Sequence, residues 1–271
     1  MSPGPRILLR GGGDLATGVA ARLHRTGFQV VVCEIEQPLA VRRLVALAEA
    51  VYAGQVQVED LSAKRVDSAE AVLEAWGRRQ IPVLVDPSAA SRHNLNPDGL
   101  VDGRMRKQPP EFGRETAPVV IGLGPGFTAG KDCHAVVETM RGHSLGRVIW
   151  AGPAQADTGM PEAVGEVDRD RVLWAPADGV MSAEVELGQP VDEGETIAMI
   201  GGQRLVAPFQ GVVRGLIHDD VAVQAGMKVG DLDPRLEAAY ASQISDKSLA
   251  VGGGVLEALL TRPLIRSKLA D

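Results

Sequence analysis

Aromatic and basic residues are scarce in this sequence of 271 residues. Phe, Trp and Tyr make up 3% of the chain, and Asp and Glu outnumber Lys and Arg by 35 to 28, which gives a formal net charge of −7. Proteins that bind nucleic acid need a basic surface and usually aromatic rings on which bases stack. We therefore expect no nucleic-acid partner.

Cysteines and long apolar segments are also few. The two cysteines, Cys33 and Cys133, cannot form a disulfide framework, which is typical of proteins in a reducing compartment. No run of residues reaches the apolar length that spans a bilayer, and only a short apolar run precedes the first glycines. We expect a soluble, cytoplasmic protein that has no membrane partner.

Apolar runs typical of buried strands alternate with helical patterns in the first half of the chain. The predicted strands are residues 6–10, 28–35, 55–59, 81–85, 100–105 and 119–123, and the predicted helices are residues 15–23, 39–52 and 68–79. This alternation predicts an α/β fold, a Rossmann-like doubly wound sheet of parallel strands. Ligands of such sheets bind at the carboxyl ends of the strands.

A glycine-rich turn follows the first predicted strand. Gly11, Gly12 and Gly13 precede Asp14, and an acid, Glu34, ends the next strand at the distance typical of a group that binds a ribose hydroxyl. The pattern is an incomplete dinucleotide fingerprint. It predicts a nucleotide or another phosphate-bearing cofactor, although a plain structural crossover without a ligand remains an alternative.

A second glycine-rich turn, with Gly124 and Gly126, follows the strand at residues 119–123. A soft nucleophile, an imidazole and carboxylates come next, and Glu138 shares a face with the imidazole if the segment is helical. These candidate catalytic residues are Asp132, Cys133 and His134. The alternative is that the cysteine is a small core residue and the histidine an ordinary structural one.

The last third of the chain contains a short repeat. The pattern Ala-Pro-x-x-Gly-Val occurs at residues 175–180 and again at residues 207–212. Two such copies are similar to the halves of the flattened β-barrel of biotinyl and lipoyl carrier domains. The hairpin at residues 200–204 contains no lysine, so we expect a structural or docking barrel. The predicted domains are residues 1–165, a barrel at 166–234, and a helical segment at 235–271 that packs back on the first domain and opens with Gly252–Gly254.

Five motifs together resemble one known family over nearly the whole chain. They are GGGDLATG, GLGPGFTAGKDCHAVVET, RGHSLGRVIW, APADG with GMKVGDLDPR, and ISDK with VGGGVLEALL. The chain resembles the YqeB-type accessory proteins of selenium-dependent molybdenum hydroxylases. The positions that match the family motifs are Gly11, Gly13, Asp14, Gly124, Gly126, Asp132, Cys133, His134, Asp246 and Lys247.

This resemblance implies a role in maturing or inserting the molybdenum cofactor of a partner hydroxylase. The bound cofactor would be a molybdopterin-type or dinucleotide compound, with its phosphates on Gly11–Gly13 and a ribose on Glu34. Cys133 would then bind or deliver a soft group, with His134 holding it as a thiolate.

Two alternatives come from other functional classes. One is an NAD(P)-dependent oxidoreductase in which His134 or Lys131 acts as a general acid, and the other is a non-catalytic scaffold whose barrel docks a hydroxylase. We expect no metal site made from histidines, because none of the five shows ligand spacing with a supporting partner; they are His24, His93, His134, His143 and His218.

Overall fold

The computed structural model describes residues 4–105, 108–157 and 171–269. They belong to two units. Unit 1 contains the described residues of Met1–Pro38, Leu47–Asp157 and Ile244–Asp271, and unit 2 those of Leu39–Ala46 and Thr158–Gln243. The chain therefore contributes to unit 2 twice. The predicted boundary between residues 165 and 166 lies outside the described residues.

Unit 1 is built on a mixed sheet of nine strands. The strands of this unit are β1 (Arg6–Arg10), β2 (Gln29–Glu34), β3 (Gln55–Val58), β4 (Leu61–Val66), β5 (Ile81–Val85), β6 (Gly99–Asp102), β7 (Val120–Leu123), β8 (Thr128–Ala129), β9 (Ala135–Val137), β10 (Val148–Ile149) and β11 (Gly152–Pro153). Their order in the large sheet is β10-β9-β7-β6-β1-β2-β5-β4-β3. The pairs from β9 to β4 are parallel, and the outer pairs β9–β10 and β3–β4 are antiparallel. Strands β8 and β11 form a separate antiparallel pair.

Helices cover both faces of this sheet. They are α1 (Asp14–Arg25), α2 (Ala50–Ala53), α3 (Ala69–Gly77), α4 (Arg92–Leu95), α5 (Asp246–Leu260) and α6 (Pro263–Ser267), with 3-10 turns at Leu47–Glu49 and Arg114–Thr116. The 3-10 turns at Arg43–Val45 and Ala238–Ala241 belong to unit 2. Leu8 of β1 lies in a buried cluster with Trp76 of α3, whose indole N–H donates to the Val30 carbonyl at 2.8 Å. Ile7, the preceding residue, faces Leu259 of α5 across Gly99. Since successive strand residues point to opposite faces, α3 and α5 lie on opposite sides of the sheet.

Glycines allow α1 and α5 to pack at very short distance. A Cβ atom on Gly252 would lie 2.5 Å from the Gly18 carbonyl oxygen and 2.9 Å from Cγ of Arg22. The prediction that Gly252–Gly254 begin the helix was wrong, because these glycines lie inside α5. The residue before the helix is Ser245, and its hydroxyl accepts from the Ser248 N–H. Glycine is needed there because the neighbouring backbone leaves no room for a side chain.

Unit 2 contains two antiparallel sheets of four strands each. Its strands are β12 (Val172–Trp174), β13 (Gly179–Ala183), β14 (Pro190–Val191), β15 (Thr196–Ile200), β16 (Gln203–Val206), β17 (Gly211–Leu216), β18 (Ala222–Val223) and β19 (Lys228–Asp233). The orders are β12-β19-β17-β14 and β16-β15-β13-β18. Residues 39–46 add to this unit, since the Val41 carbonyl accepts from the Leu216 N–H at 2.9 Å.

The predicted fold class is wrong. We expected a Rossmann-like doubly wound parallel sheet and a lipoyl-like barrel. The described residues instead form a nine-stranded mixed sheet, the antiparallel pair β8–β11 and two separate four-stranded antiparallel sheets. Among the described residues, the connection from β6 to β7 contains a 3-10 turn and the one from β7 to β9 contains the short strand β8, and neither shows the crossover helix of a doubly wound fold. The two repeat copies lead into β13 and β17, which belong to different sheets.

Candidate anion-binding site at the carboxyl ends of the central strands

The carboxyl ends of β1, β2, β5 and β6 meet at one edge of the unit 1 sheet. These four strands are adjacent and parallel, and β1 lies between β2 and β6. The chain continues from β1 to β2 on one side and reaches β6 on the other side only later. In open α/β sheets, ligands bind outside the strand ends at such a change of direction. Arg10, Glu34 and Asp102 are the last residues of their strands.

Arg10 is the most unusual residue of this edge, because its long charged side chain is only 1% exposed. Nη1 donates to the Asp102 carboxylate at 3.4 Å, and Nη2 donates to the Pro87 carbonyl at 2.9 Å and to Oε2 of Glu111 at 2.7 Å. A buried charge is costly unless it is paired and hydrogen-bonded, and these three acceptors meet that requirement.

Arg104 lies beside Arg10 and uses the same two carboxylates. Its Nε and Nη2 donate to the two oxygens of Asp102 at 3.0 and 2.7 Å, and its Nη1 donates to Oε2 of Glu111 at 3.2 Å. Partial burial lowers the pKa of Arg104, but the hydrogen bonds and charge of Asp102 outweigh it and raise the pKa above its usual value. One oxygen of Glu111 thus accepts from both guanidinium groups.

An aromatic ring, that of Phe112, contacts Arg10 and a third arginine, Arg92. The guanidinium carbon of Arg10 lies 4.4 Å from the centre of the Phe112 ring, and that of Arg92 lies 4.7 Å from it. A cation over an aromatic face is attracted by the ring and keeps its edge N–H groups available for oxygen acceptors. Phe112 therefore fixes the plane of Arg10.

The first glycine turn makes its hydrogen bonds within the protein. The Gly11 N–H donates to the Cys33 carbonyl at 2.8 Å, and the Gly12 N–H donates to Oε1 of Glu34 at 2.7 Å. The other oxygen of Glu34 accepts from the Ile35 N–H at 2.8 Å. The structure thus brings Gly12 and Glu34 together as the sequence predicts, but it joins them directly.

The start of α1 adjoins this turn. Gly13 is the N-cap residue and provides no side-chain cap, and Oδ1 of Asp14 accepts from the Ser248 hydroxyl at 2.7 Å. In α5, Asp246 receives two hydrogen bonds from Arg141, at 2.8 and 2.9 Å, next to Lys247. Asp14 therefore connects the first turn of α1 with the first turn of α5, which contains Asp246 and Lys247.

The second glycine turn follows β7, two strands from β1. Gly124 and Gly126 have φ angles of +66° and +103°, and the Gly124 N–H donates to the Val137 carbonyl at 2.9 Å. The prediction that Glu138 shares a face with His134 required a helix after this turn. Residues 135–137 instead form strand β9. Strand spacing puts β9 about 14 Å from β1.

The three predicted catalytic residues, Asp132, Cys133 and His134, are either hydrogen-bonded within the protein or buried. Oδ2 of Asp132 accepts from the Thr128 N–H at 2.9 Å. Cys133 is 0% exposed, and burial raises its pKa to about 11. His134 Nδ1 accepts from the Val120 N–H at 2.9 Å, and burial, followed by the charges of Arg114 and Arg262, lowers its pKa. Such a cysteine is a neutral thiol, and its predicted chemical role remains a prediction.

Several residues of the candidate site were not among those predicted. They are Arg10, Asp102, Arg104, Glu111 and Phe112. One signal in the sequence is an arginine at the last position of an apolar strand, since a charge placed there is buried and needs partners.

Within residues 4–105, 108–157 and 171–269, no group of three or more His, Cys, Asp or Glu side chains could hold a metal ion. In the same ranges no helix combines the length and apolar character needed to cross a membrane.

Known structures offer only weak likenesses to this chain, and no protein-family model matches it. An aspartoacylase family protein from Mesorhizobium loti is 10% identical with a TM-score of 0.24, and 84% of each chain is covered. The product-bound ectoine utilization protein EutE (DoeB) from Ruegeria pomeroyi is 12% identical with a TM-score of 0.26, and 86% of each chain is covered. Scores this low support no inference about fold or activity.

A sequence relative is far more similar. Over 254 residues the chain is 48% identical to "Uncharacterized protein YqeB" of Escherichia coli (strain K12), a match that covers 94% of this chain and 47% of the relative. This chain therefore spans about half the length of that protein. The match carries no function with it, and it supports the YqeB family as the family of this chain.

Proposed function

We propose that this protein is an accessory factor in the maturation of a molybdenum hydroxylase, and that it binds a phosphate-bearing pterin or dinucleotide cofactor at the carboxyl ends of β1 and β6. The observation that carries the proposal is the convergence of Arg10 and Arg104 on one carboxylate oxygen, at 2.7 and 3.2 Å. The partner and the pathway come from the resemblance of the sequence motifs to the YqeB-type family, and the YqeB relative itself names neither.

The chemistry of the two arginines suits a phosphate group. Guanidinium groups donate parallel N–H bonds that match phosphate oxygens, and they bind them most strongly where water is largely excluded. Asp102 is bonded to both arginines and orients them. With Glu111 moved aside, two cations would face one fixed carboxylate, which leaves a net positive charge for an anion.

The start of α1 lies close to this pair. A Cβ on Gly11 would lie 3.1 Å from Cγ of Arg104, and one on Gly103 would lie 3.0 Å from Cβ of Ala16 in the first turn of α1. The amino-terminal end of a helix favours negative charge. A phosphate bound by the arginines would therefore also experience this field.

Glu34 bears on the choice between this function and an oxidoreductase. Both of its carboxylate oxygens accept from backbone N–H groups, those of Gly12 and Ile35. Binding of a nicotinamide dinucleotide ribose by Glu34 would have to compete with these bonds. We therefore rank the accessory function above NAD(P)-dependent hydride transfer.

The proposal assigns no chemical step to a metal or to Cys133. The thiol is fully buried and its pKa is raised to about 11, so its surroundings do not fit a group that meets a metal or a sulfur donor. Binding and release of the cofactor are the functions proposed for this chain, and they depend on Arg10, Arg104 and Asp102.

Calorimetric titration with inorganic pyrophosphate tests the binding site. Arg104→Ala should weaken binding at least about tenfold, because a charge-assisted pair of hydrogen bonds contributes roughly 1.5–3 kcal/mol. Arg78→Ala is the matched control, since Arg78 is an exposed arginine at the end of α3. Equal affinity in the two variants would refute the site.

A further inference from the structure

Asp102 and Glu111 bind the same two arginines but differ in burial and in their position in the fold. Asp102 ends a central strand, its side chain is 8% exposed, and both of its oxygens are used. Glu111 belongs to no helix or strand, its side chain is 42% exposed, and its Oε2 makes both arginine bonds. Asp102 is therefore a fixed part of the site, and Glu111 is the partner that can leave.

The position of Glu111 Oε2 is the one that a phosphate oxygen would take. The oxygen lies between the two guanidinium groups, at hydrogen-bond distance from Nη2 of Arg10 and Nη1 of Arg104. If Glu111 leaves, Arg10 keeps its bonds to Asp102 and the Pro87 carbonyl, and its stacking on Phe112. Removal of this carboxylate therefore does not leave a buried charge without partners.

We infer that the Glu111 carboxylate is an internal occupant of the anion site, which holds the place of the ligand's phosphate and is replaced when the ligand binds. This inference rests on the proposed function. It adds an explanation of how the site excludes anions that bind the arginines more weakly. An anion that bridges both arginines with two oxygens displaces Glu111, whereas one with a single contact does not compete. The internal carboxylate thereby sets a threshold of affinity and selects multidentate phosphates.

The substitution Glu111→Gln tests this inference because it removes the competing charge. An ion pair with one exposed partner contributes little, and its removal is expected to lower the dissociation constant for pyrophosphate about fivefold. Glu115→Gln is the matched control. Glu115 is exposed, it lies four residues further along the same segment, and the substitution makes the same change of net charge. The affinity of the Glu115→Gln variant for pyrophosphate should equal that of the unmodified protein within about twofold.

The possible results separate this inference from the proposed function. Tighter binding by Glu111→Gln alone supports the internal occupant. If the unmodified protein binds pyrophosphate and Glu111→Gln binds it equally or more weakly, the occupant is refuted and the anion site stands. Equal tightening in Glu115→Gln would mean a general charge effect and would also refute the occupant. If none of the three proteins binds pyrophosphate, both the site and its occupant are refuted.

Discussion

Substitution by alanine should have opposite effects on stability at two adjacent glycines of α5, Gly252 and Gly253. A Cβ on Gly252 would lie 2.5 Å from the Gly18 carbonyl oxygen, whereas one on Gly253 would meet nothing within 4 Å. Alanine improves the helix propensity at either position by about 0.5–1 kcal/mol. At Gly252 the helices must also move apart, and forcing extra volume into a packed interior costs about 1–3 kcal/mol.

Urea denaturation followed by far-ultraviolet circular dichroism measures the two free energies of unfolding. Gly253→Ala should unfold at a higher urea concentration than the unmodified protein, and Gly252→Ala at a lower one. Because the gain in propensity is common to both variants, the difference between them isolates the packing cost, about 1–3 kcal/mol. Two variants of equal stability would refute the close packing of α1 and α5.

Three further predictions concern buried groups. Glu138→Gln should lower the free energy of unfolding by about 1–3 kcal/mol, because this buried carboxylate accepts from three backbone N–H groups, and a change below 0.5 kcal/mol in urea titrations would count against those bonds. Cys33 and Cys133 should resist iodoacetamide at neutral pH until the protein is unfolded, because burial raises their pKa values to about 12 and about 11; rapid labelling of the native protein, read by mass spectrometry, would contradict this. The pKa of His134 is lowered by burial, so its protonation favours the unfolded chain, and stability should fall as the pH drops below the ordinary value of 6.5. His134→Asn, which can keep an acceptor for the same N–H, should lose less stability between pH 7 and pH 5 in parallel thermal melts; an equal loss would assign the effect to other groups.

Local patterns in the sequence identified several elements correctly. The predicted strand at residues 81–85 is β5, and the predicted helix at residues 15–23 lies within α1. Both have strong apolar periodicity and clear ends, so neighbouring residues suffice to specify them. The predicted helix at residues 39–52 was wrong, because residues 39–46 belong to unit 2 and only Ala50–Ala53 is α-helical.

Other features depend on contacts that local patterns do not contain. The segment after Gly126 was expected to be helical, yet residues 135–137 pair with β7 as a strand. The need for glycine at position 252 becomes visible only when α1 is known to lie against it. In these cases the partner from elsewhere in the chain overrides local propensity.

The candidate site is the clearest example of this limit. The glycine turn and Glu34 were predicted from spacing, and the structure does bring them together. Arg10 and Glu111 are 101 residues apart in the chain, and their ion pair depends on the order of the strands. Local patterns in a single sequence contain no signal that joins two such distant positions.

The most direct test of the proposed function is to identify the small molecules that the protein carries when it is purified from its own host. Mass spectrometry of the denatured protein should detect a phosphate-bearing pterin or its dinucleotide form, and the amount should fall strongly in Arg104→Ala and stay unchanged in Arg78→Ala. Released NAD(P) without a pterin, or equal amounts of pterin from both variants, would contradict the proposal.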